Sequence, residues 1–145
     1  MRALCQRVSE ARVTVDGAEV ARIGPGLLVL LGVFGDDDET RAARLAEKTL
    51  ALRVFADAHR PMNRSVVDVS GSLLVVSQFT LAADTSRGNR PGFGKAAPPE
   101  RARALYERYV DELRERWPHV QTGVFGAEMQ VTLTNDGPVT ILLER

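Results

Sequence analysis

The stretch SQFTL, Ser77 to Leu81, closes an apolar run and sets a hydroxyl, an amide, a ring and a second hydroxyl side by side. Polar groups that appear where a strand leaves the core sit well for chemistry, because the strand fixes their backbone while the following loop stays open. Backbone N–H groups and the Gln78 amide can together face a developing oxyanion. The same residues also suit a plain strand end whose Ser77, Gln78 and Thr80 satisfy local hydrogen bonds, and on chemistry alone that simpler reading is favoured. No other machinery competes with it. His59 and His119 each have a proline nearby in a loop, without a Cys, His or acidic partner at metal-ligand spacing. No serine lies in a G-x-S-x-G elbow, and there is no Walker A motif and no G-x-G-x-x-G after a strand. Thr80 is a tempting nucleophile, yet nothing near it in sequence would activate its hydroxyl.

A second stretch, NDGPVT at Asn135–Thr140, lies between strand-like segments and reads as a hairpin turn. A proline directly after the glycine removes a backbone N–H at the mouth of the next strand, which hairpin closure alone does not require.

The elements that hold these residues follow from patterning. Val13 and Val15 alternate with polar neighbours, and Asp16-Gly17 is a two-residue hairpin signal. LLVLLGVF, 27–34, is a near-continuous apolar run and predicts a central strand covered on both faces. A helix is expected over about 38–51, with Ala42, Leu45, Ala46, Thr49 and Leu50 on one face and aspartates at 36–38 to cap it. Short strands are expected at 52–55 and, as the second central strand, at 72–81. Residues 82–100 are long and Gly-rich for a structureless connection, which marks a candidate binding loop. A second helix runs from Pro98 or Pro99 to near Trp117-Pro118, with Ala102, Leu105, Tyr106, Tyr109, Val110 and Leu113 buried. Strands at 120–125, 128–136 and 138–145 close the chain. Two helices cover one face of such a sheet, so the other face calls for a second sheet. The fold class is α/β, one domain over residues 1–145, layered helix/sheet/sheet.

Composition narrows the function. The 145 residues carry a net formal charge of zero, against a generic nucleic-acid coat protein. From Asp84 to Arg103, however, Arg87, Arg90, Lys95, Arg101 and Arg103 face only Asp84 and Glu100, a local basic surface that can hold phosphates. No apolar run approaches a membrane span, and the first residues lack a signal-peptide core, so a cytoplasmic protein with no membrane partner is expected. Cys5, the single cysteine, is expected to be a buried, inert thiol.

SQFTL, followed by ADTSRGNRPGF, VQTGVFGAEMQV and NDGPVT, resembles the D-aminoacyl-tRNA deacylases, as do the opening MRALCQRVSEARVTVDG and GLLVLLGVF. The resemblance spans essentially the whole chain in the same order. It departs at ADAHRPMNRSV, where the family reads closer to DEDGKMN, which implies altered loop detail there and unaltered chemistry.

The resemblance implies a homodimer that needs no metal or other cofactor. It would hydrolyse the ester between a D-amino acid and the 3′-terminal adenosine of tRNA, and act on glycyl-tRNA, including glycine mischarged on alanine tRNA. Aminoacyl-tRNA, not DNA, is the implied partner. It also implies that Gly137-Pro138 is cis and reaches into the partner subunit's site as a chiral filter. Enantiomers carry the same groups, so rejection has to be steric, and a thousandfold bias needs about 4 kcal/mol. Ser77 and Gln78 would position the ester, and the N–H groups of Phe79 and Thr80 would hold the oxyanion. A water assisted by the ribose 2′-OH is the expected nucleophile. Phe125 and Met129 are candidates for an adenine pocket, although both also fit a core role. Arg87, Arg90 and Lys95 are candidates for acceptor-stem phosphates. A non-catalytic RNA-binding module and a structural dimer are the competing readings.

Overall fold

One strand, β1 (Arg2–Val15), joins the two halves of the molecule; the computed structural model describes residues 1–145. Along one edge β1 pairs antiparallel with β6 (Gln130–Glu144) from Arg2 to Thr14. Along the other edge its partners change. Arg2–Val8 pair with β3 (Gly26–Gly32), and Ala11–Val15 pair with β2 (Ala18–Ile23). Asp16 and Gly17 link β1 to β2 at φ 49° and 77°, the left-handed pair that a tight hairpin requires. β4 (Ser72–Ser77) lies parallel to β3, and β5 (Val120–Thr122) lies parallel to β4. α1 (Glu39–Leu50) and α2 (Pro99–Arg116) supply the crossovers.

Alternate residues of β3 and β4 feed two cores, as near-continuous apolar strands must. Leu27, Val29, Leu31, Leu73 and Val75 pack on the helices against Ala42, Leu45, Tyr109 and Leu113. Leu28, Leu74 and Val76 pack the opposite way, against Val8, Ala11, Val13, Ala21 and Ile23. All six strands belong to one hydrogen-bonded sheet, so the separate second sheet expected from the sequence is absent. The far face is covered instead by the second half of β1 and β2, because β1 is long enough to serve both layers. No helix is long and apolar enough to cross a membrane.

Both helices fall where the periodicity put them. In α1, Ala42, Leu45, Ala46, Thr49 and Leu50 are the buried residues, and Asp38 caps the start by accepting from the Arg41 N–H at 2.8 Å. The expected strands differ in several places, and the one expected at 120–125 stops at Thr122, just before Gly123. Residues 52–55 form no strand, only a Phe55–Arg64 bridge, because Arg53 and Phe55 are turned toward Asn63 and Arg64 within the same loop. The strand expected to reach residue 81 ends at Ser77, and the next turn is a 3₁₀ turn, Phe79–Ala82. The terminal hairpin is not a hairpin. Residues 130–135 and 140–144 both pair with β1, so β6 is one strand with a protruding bulge at 136–138. The Asn135 side chain closes the base of that bulge, accepting from the Val139 N–H at 2.7 Å and donating to Thr140 Oγ1 at 2.9 Å.

Candidate active site

The C-terminal ends of the parallel strands β3 and β4 carry the SQFTL residues. Ser77 is in register with Leu31, and the Gln78 N–H donates to the Leu31 carbonyl at 2.8 Å, which anchors the last polar residue before the turn. The 3₁₀ turn then folds down onto β3. Gly32 makes this possible: a Cβ there would stand 2.8 Å from Leu81 Cβ and 3.2 Å from the Gln78 carbonyl oxygen. Arg2 braces the turn from β1, donating from Nη1 to the Leu81 carbonyl at 2.9 Å while its guanidinium lies 4.9 Å from the Phe34 ring centre.

Within the turn, the Leu81 N–H is bonded to the Gln78 carbonyl at 3.2 Å, whereas the N–H groups of Phe79 and Thr80 precede that first bond. The opening N–H groups of a helical turn have no partner inside it, so these two are available to an anion. Gln78 Nε2 donates to Thr80 Oγ1. An amide donor cannot remove a proton, so this contact orients the hydroxyl without activating it. Neither histidine helps. The His119 backbone carbonyl accepts from the Leu73 N–H at 2.8 Å, at the opposite end of β4, and His59 lies in the 57–63 loop. Ser77 and Gln78 are half-buried, while Phe79 and Thr80 are exposed.

The 83–98 loop borders the site. Asp84 and Gly92 exchange backbone hydrogen bonds of 2.7 and 2.9 Å, and the limb beyond them is tied to the end of β3 by Gly35 N–H to Lys95 O and Ala97 N–H to Val33 O, both 3.0 Å. The Asp84 carboxylate accepts from Ser86 and faces Lys95 Nζ at 3.3 Å, and these contacts hold it down at about 2. Lys95 is therefore already paired, whereas Arg87 and Arg90 line the same hollow of about 520 Å³ without an acidic partner.

Phe125 and Met129 do not share a pocket. Phe125 packs on Tyr106, with ring centres 5.6 Å apart and Arg103 at 4.7 Å over its face, and lines a hollow on the α2 side. Met129 belongs to the other core and would meet a Cβ on Gly123 at 2.8 Å. Gly126, at φ 79°, turns the chain between them.

Gly137 and Pro138 are exposed at the tip of the β6 bulge, and their peptide bond is cis. Arg7 holds the bulge, donating from Nε to the Asp136 carbonyl at 2.8 Å and from Nη1 to the Val54 carbonyl at 2.6 Å. Arg7 is in register with Leu27, at the start of β3, while Ser77 is in register with Leu31, at its end. Four residues along the strands and three strand spacings across put the bulge roughly 20 Å from Ser77 of the same chain. Arg7 escaped the sequence reading because an arginine alternating with apolar residues looks like a solvated strand face.

Known proteins share this sequence and this fold. A family model described as D-Tyr-tRNA(Tyr) deacylase matches residues 4–144. A D-aminoacyl-tRNA deacylase of Anaeromyxobacter dehalogenans is 60% identical over 144 residues, covering 99% of this chain and 97% of that one. One of Klebsiella pneumoniae is 59% identical, covering 99% of each. Among solved structures, one titled c-Myc DNA Unwinding Element Binding Protein superposes with a TM-score of 0.94 at 42% identity, covering 100% of this chain and 99% of that one. A probable eukaryotic D-amino acid tRNA deacylase, 18% identical with a TM-score of 0.83 and covering 98% and 97% of the two chains, shares the fold. The family match and the relatives define the class as hydrolases that act on an ester bond. Within that class, the chain belongs to the D-Tyr-tRNA(Tyr) deacylase family.

Proposed function

We infer that this protein hydrolyses the ester between a D-amino acid and the 3′-terminal adenosine of tRNA, accepts the glycyl ester, and spares the L-aminoacyl ester, as a proofreading homodimer in the cytoplasm. The observation that carries the reading is the separation within one chain. The Phe79 and Thr80 N–H groups open the 3₁₀ turn at one end of the sheet, and the exposed Gly137-Pro138 bulge, braced by Arg7, stands roughly 20 Å away. A second copy related by a twofold axis would bring its bulge to the SQFTL end of the first, and the first would do the same in return.

The chemistry follows from the groups at hand. The ester carbonyl oxygen lies toward the Phe79 and Thr80 N–H groups, and Ser77 and Gln78 fix the ester. Water attacks the carbonyl carbon, its proton passing by way of the ribose 2′-OH, and the 3′-oxygen leaves with a proton to restore the ribose diol. Thr80, held by an amide donor, serves as a positioning group. A backbone turn held at both sides cannot step aside for an L side chain, whereas glycine has nothing to clash. Arg87 and Arg90 offer charge to the tRNA phosphates; Phe125, with its ring partly open beside Arg103, is the better supported of the two adenine contacts.

The test is hydrolysis of D-tyrosyl-, L-tyrosyl- and glycyl-tRNA by the purified protein in the presence of a chelator. Release from the D and glycyl esters with the L ester intact supports the reading. Release from the L ester at the D rate removes the chiral filter, and dependence on an added metal removes the water-and-ribose chemistry.

A further inference from the structure

Phe79 and Phe93 form an aromatic pair that neither core uses. Their ring centres are 5.0 Å apart and tilted by 56°, and the side chains remain 60% and 37% exposed. Single exposed apolar residues are ordinary, but two rings in contact beside unpaired arginines are a specific surface. The pair is prearranged. Phe79 opens the 3₁₀ turn, and Phe93 follows directly on the Asp84–Gly92 bridge, on the limb pinned to β3 through Lys95 and Ala97. The adjoining hollow of about 520 Å³ has only polar, charged and glycine walls. Asp84 and Lys95 neutralise each other there, which leaves Arg87 and Arg90 as net positive charge.

We propose that the Phe79–Phe93 pair, with the Arg87/Arg90 hollow beside it, is a stacking site for the unpaired nucleotides that precede the terminal adenosine. This rests on the deacylase reading and adds to it a second contact region. Flat rings next to a cationic groove suit an unstacked base and its phosphate, the combination by which proteins hold single strands. A duplex stem hides its base faces and has no use for exposed rings, so the occupant is the single-stranded 3′ end. Phe79 serves both regions: its N–H faces the ester and its ring faces the neighbouring base. The 83–98 loop, long for a connection in a compact domain, thereby has a purpose.

Three carriers of the same D-tyrosyl ester separate the roles: adenosine alone, the trinucleotide CCA, and full-length tRNA. Phe93→Leu should raise KM roughly tenfold on CCA and tRNA, hold kcat, and leave D-tyrosyl-adenosine unchanged. Phe93→Tyr, which keeps a ring, should keep wild-type KM on all three. The Arg87→Ala/Arg90→Ala double variant should raise KM on the two longer carriers and flatten their salt dependence. A Phe93→Leu effect equal on all three carriers, or absent from all, overturns the proposal. Should the wild type hydrolyse none of them, the deacylase reading fails by itself. The stacking site is then judged by fluorescence anisotropy of a labelled CCA-ended single strand, which Phe93→Leu and the double arginine variant must still weaken.

Discussion

Ser77 and Gly137 stand at opposite ends of one sheet. Ser77 closes β4 level with Leu31, while Gly137 projects from β6 beside Arg7, which is level with Leu27. If the bulge is the chiral filter proposed above, a distance of roughly 20 Å from the Phe79 and Thr80 N–H groups of its own chain means that it serves another copy's site.

The bulge tolerates little change. At Gly137, φ is 146°, and a Cβ would lie 2.7 Å from Val139 Cγ2, 2.9 Å from Val139 N and 3.1 Å from Arg7 Nη2. Gly137→Ala is expected to cost about 1–3 kcal/mol of stability and, by displacing the turn into the space the ester would occupy, to lower kcat/KM on the D ester at least tenfold. Urea unfolding and steady-state kinetics check the two effects separately; wild-type kinetics in a folded variant contradict the expectation.

At the other end, Gly32→Ala pushes against Leu81 Cβ at 2.8 Å. The 3₁₀ turn has to move, so kcat should fall while overall stability drops by only about 1–3 kcal/mol. Steady-state kinetics paired with thermal unfolding decide it, and an unchanged kcat counts against the placement of the oxyanion donors.

Asp37 is buried and makes several contacts at once. Its carboxylate meets the Met1 ammonium at 2.5 Å, the Phe34 N–H at 2.7 Å and Arg41 at 3.3 Å, and Arg101 donates to its carbonyl at 2.6 Å. Asp37→Ala strands a buried cation and is expected to cost about 3–5 kcal/mol. The urea midpoint measures it; a loss below about 1 kcal/mol contradicts it.

Two titrations follow from the surroundings of their groups. Asp84, held at about 2 by its Ser86 hydrogen bonds and by Lys95, is depressed in the fold. Its contribution is present above the unfolded value near 3.9 and is lost as pH falls through about 2. Carbon NMR of the Asp84 carboxyl should show that midpoint, and Lys95→Ala should raise it.

Burial pushes the Cys5 thiol up to about 12. The unfolded thiol ionises near 8.5, so between these values the unfolded chain binds fewer protons, and stability falls as pH rises through the window. Iodoacetamide at pH 8 should leave Cys5 unlabelled until urea unfolds the chain; rapid native labelling contradicts its burial.

The legible parts of the sequence were those in which local pattern and tertiary demand agree. α1 and α2 showed their buried stripes because a helix needs one apolar face. Leu27–Leu31 and Leu73–Val76 read as central strands because both their faces are covered. The bulge was misread because Asn135-Asp136-Gly137-Pro138 has the composition of a turn. What keeps both flanks in one strand is β1, distant in sequence, together with the Asn135 clamp on Val139. Phe125 and Met129 are candidates for one adenine pocket in the sequence, but they pack on different cores, with the turn at Gly126 between them. SQFTL itself was visible as polar residues after an apolar run, whereas the bracing by Arg2 and Arg7 depended on strand pairings that no local pattern reports.

The most direct test mixes two defective chains. Gln78→Ala damages the ester end and leaves the bulge intact; Gly137→Ala does the reverse. If the site is shared across a twofold axis, a heterodimer of the two carries one intact site and one doubly damaged site. An equal mixture after subunit exchange should then recover roughly a quarter of wild-type D-tyrosyl-tRNA hydrolysis, with the L ester still spared. No gain over the two parents, with heterodimers shown to have formed, would place both functions within one chain and contradict the account.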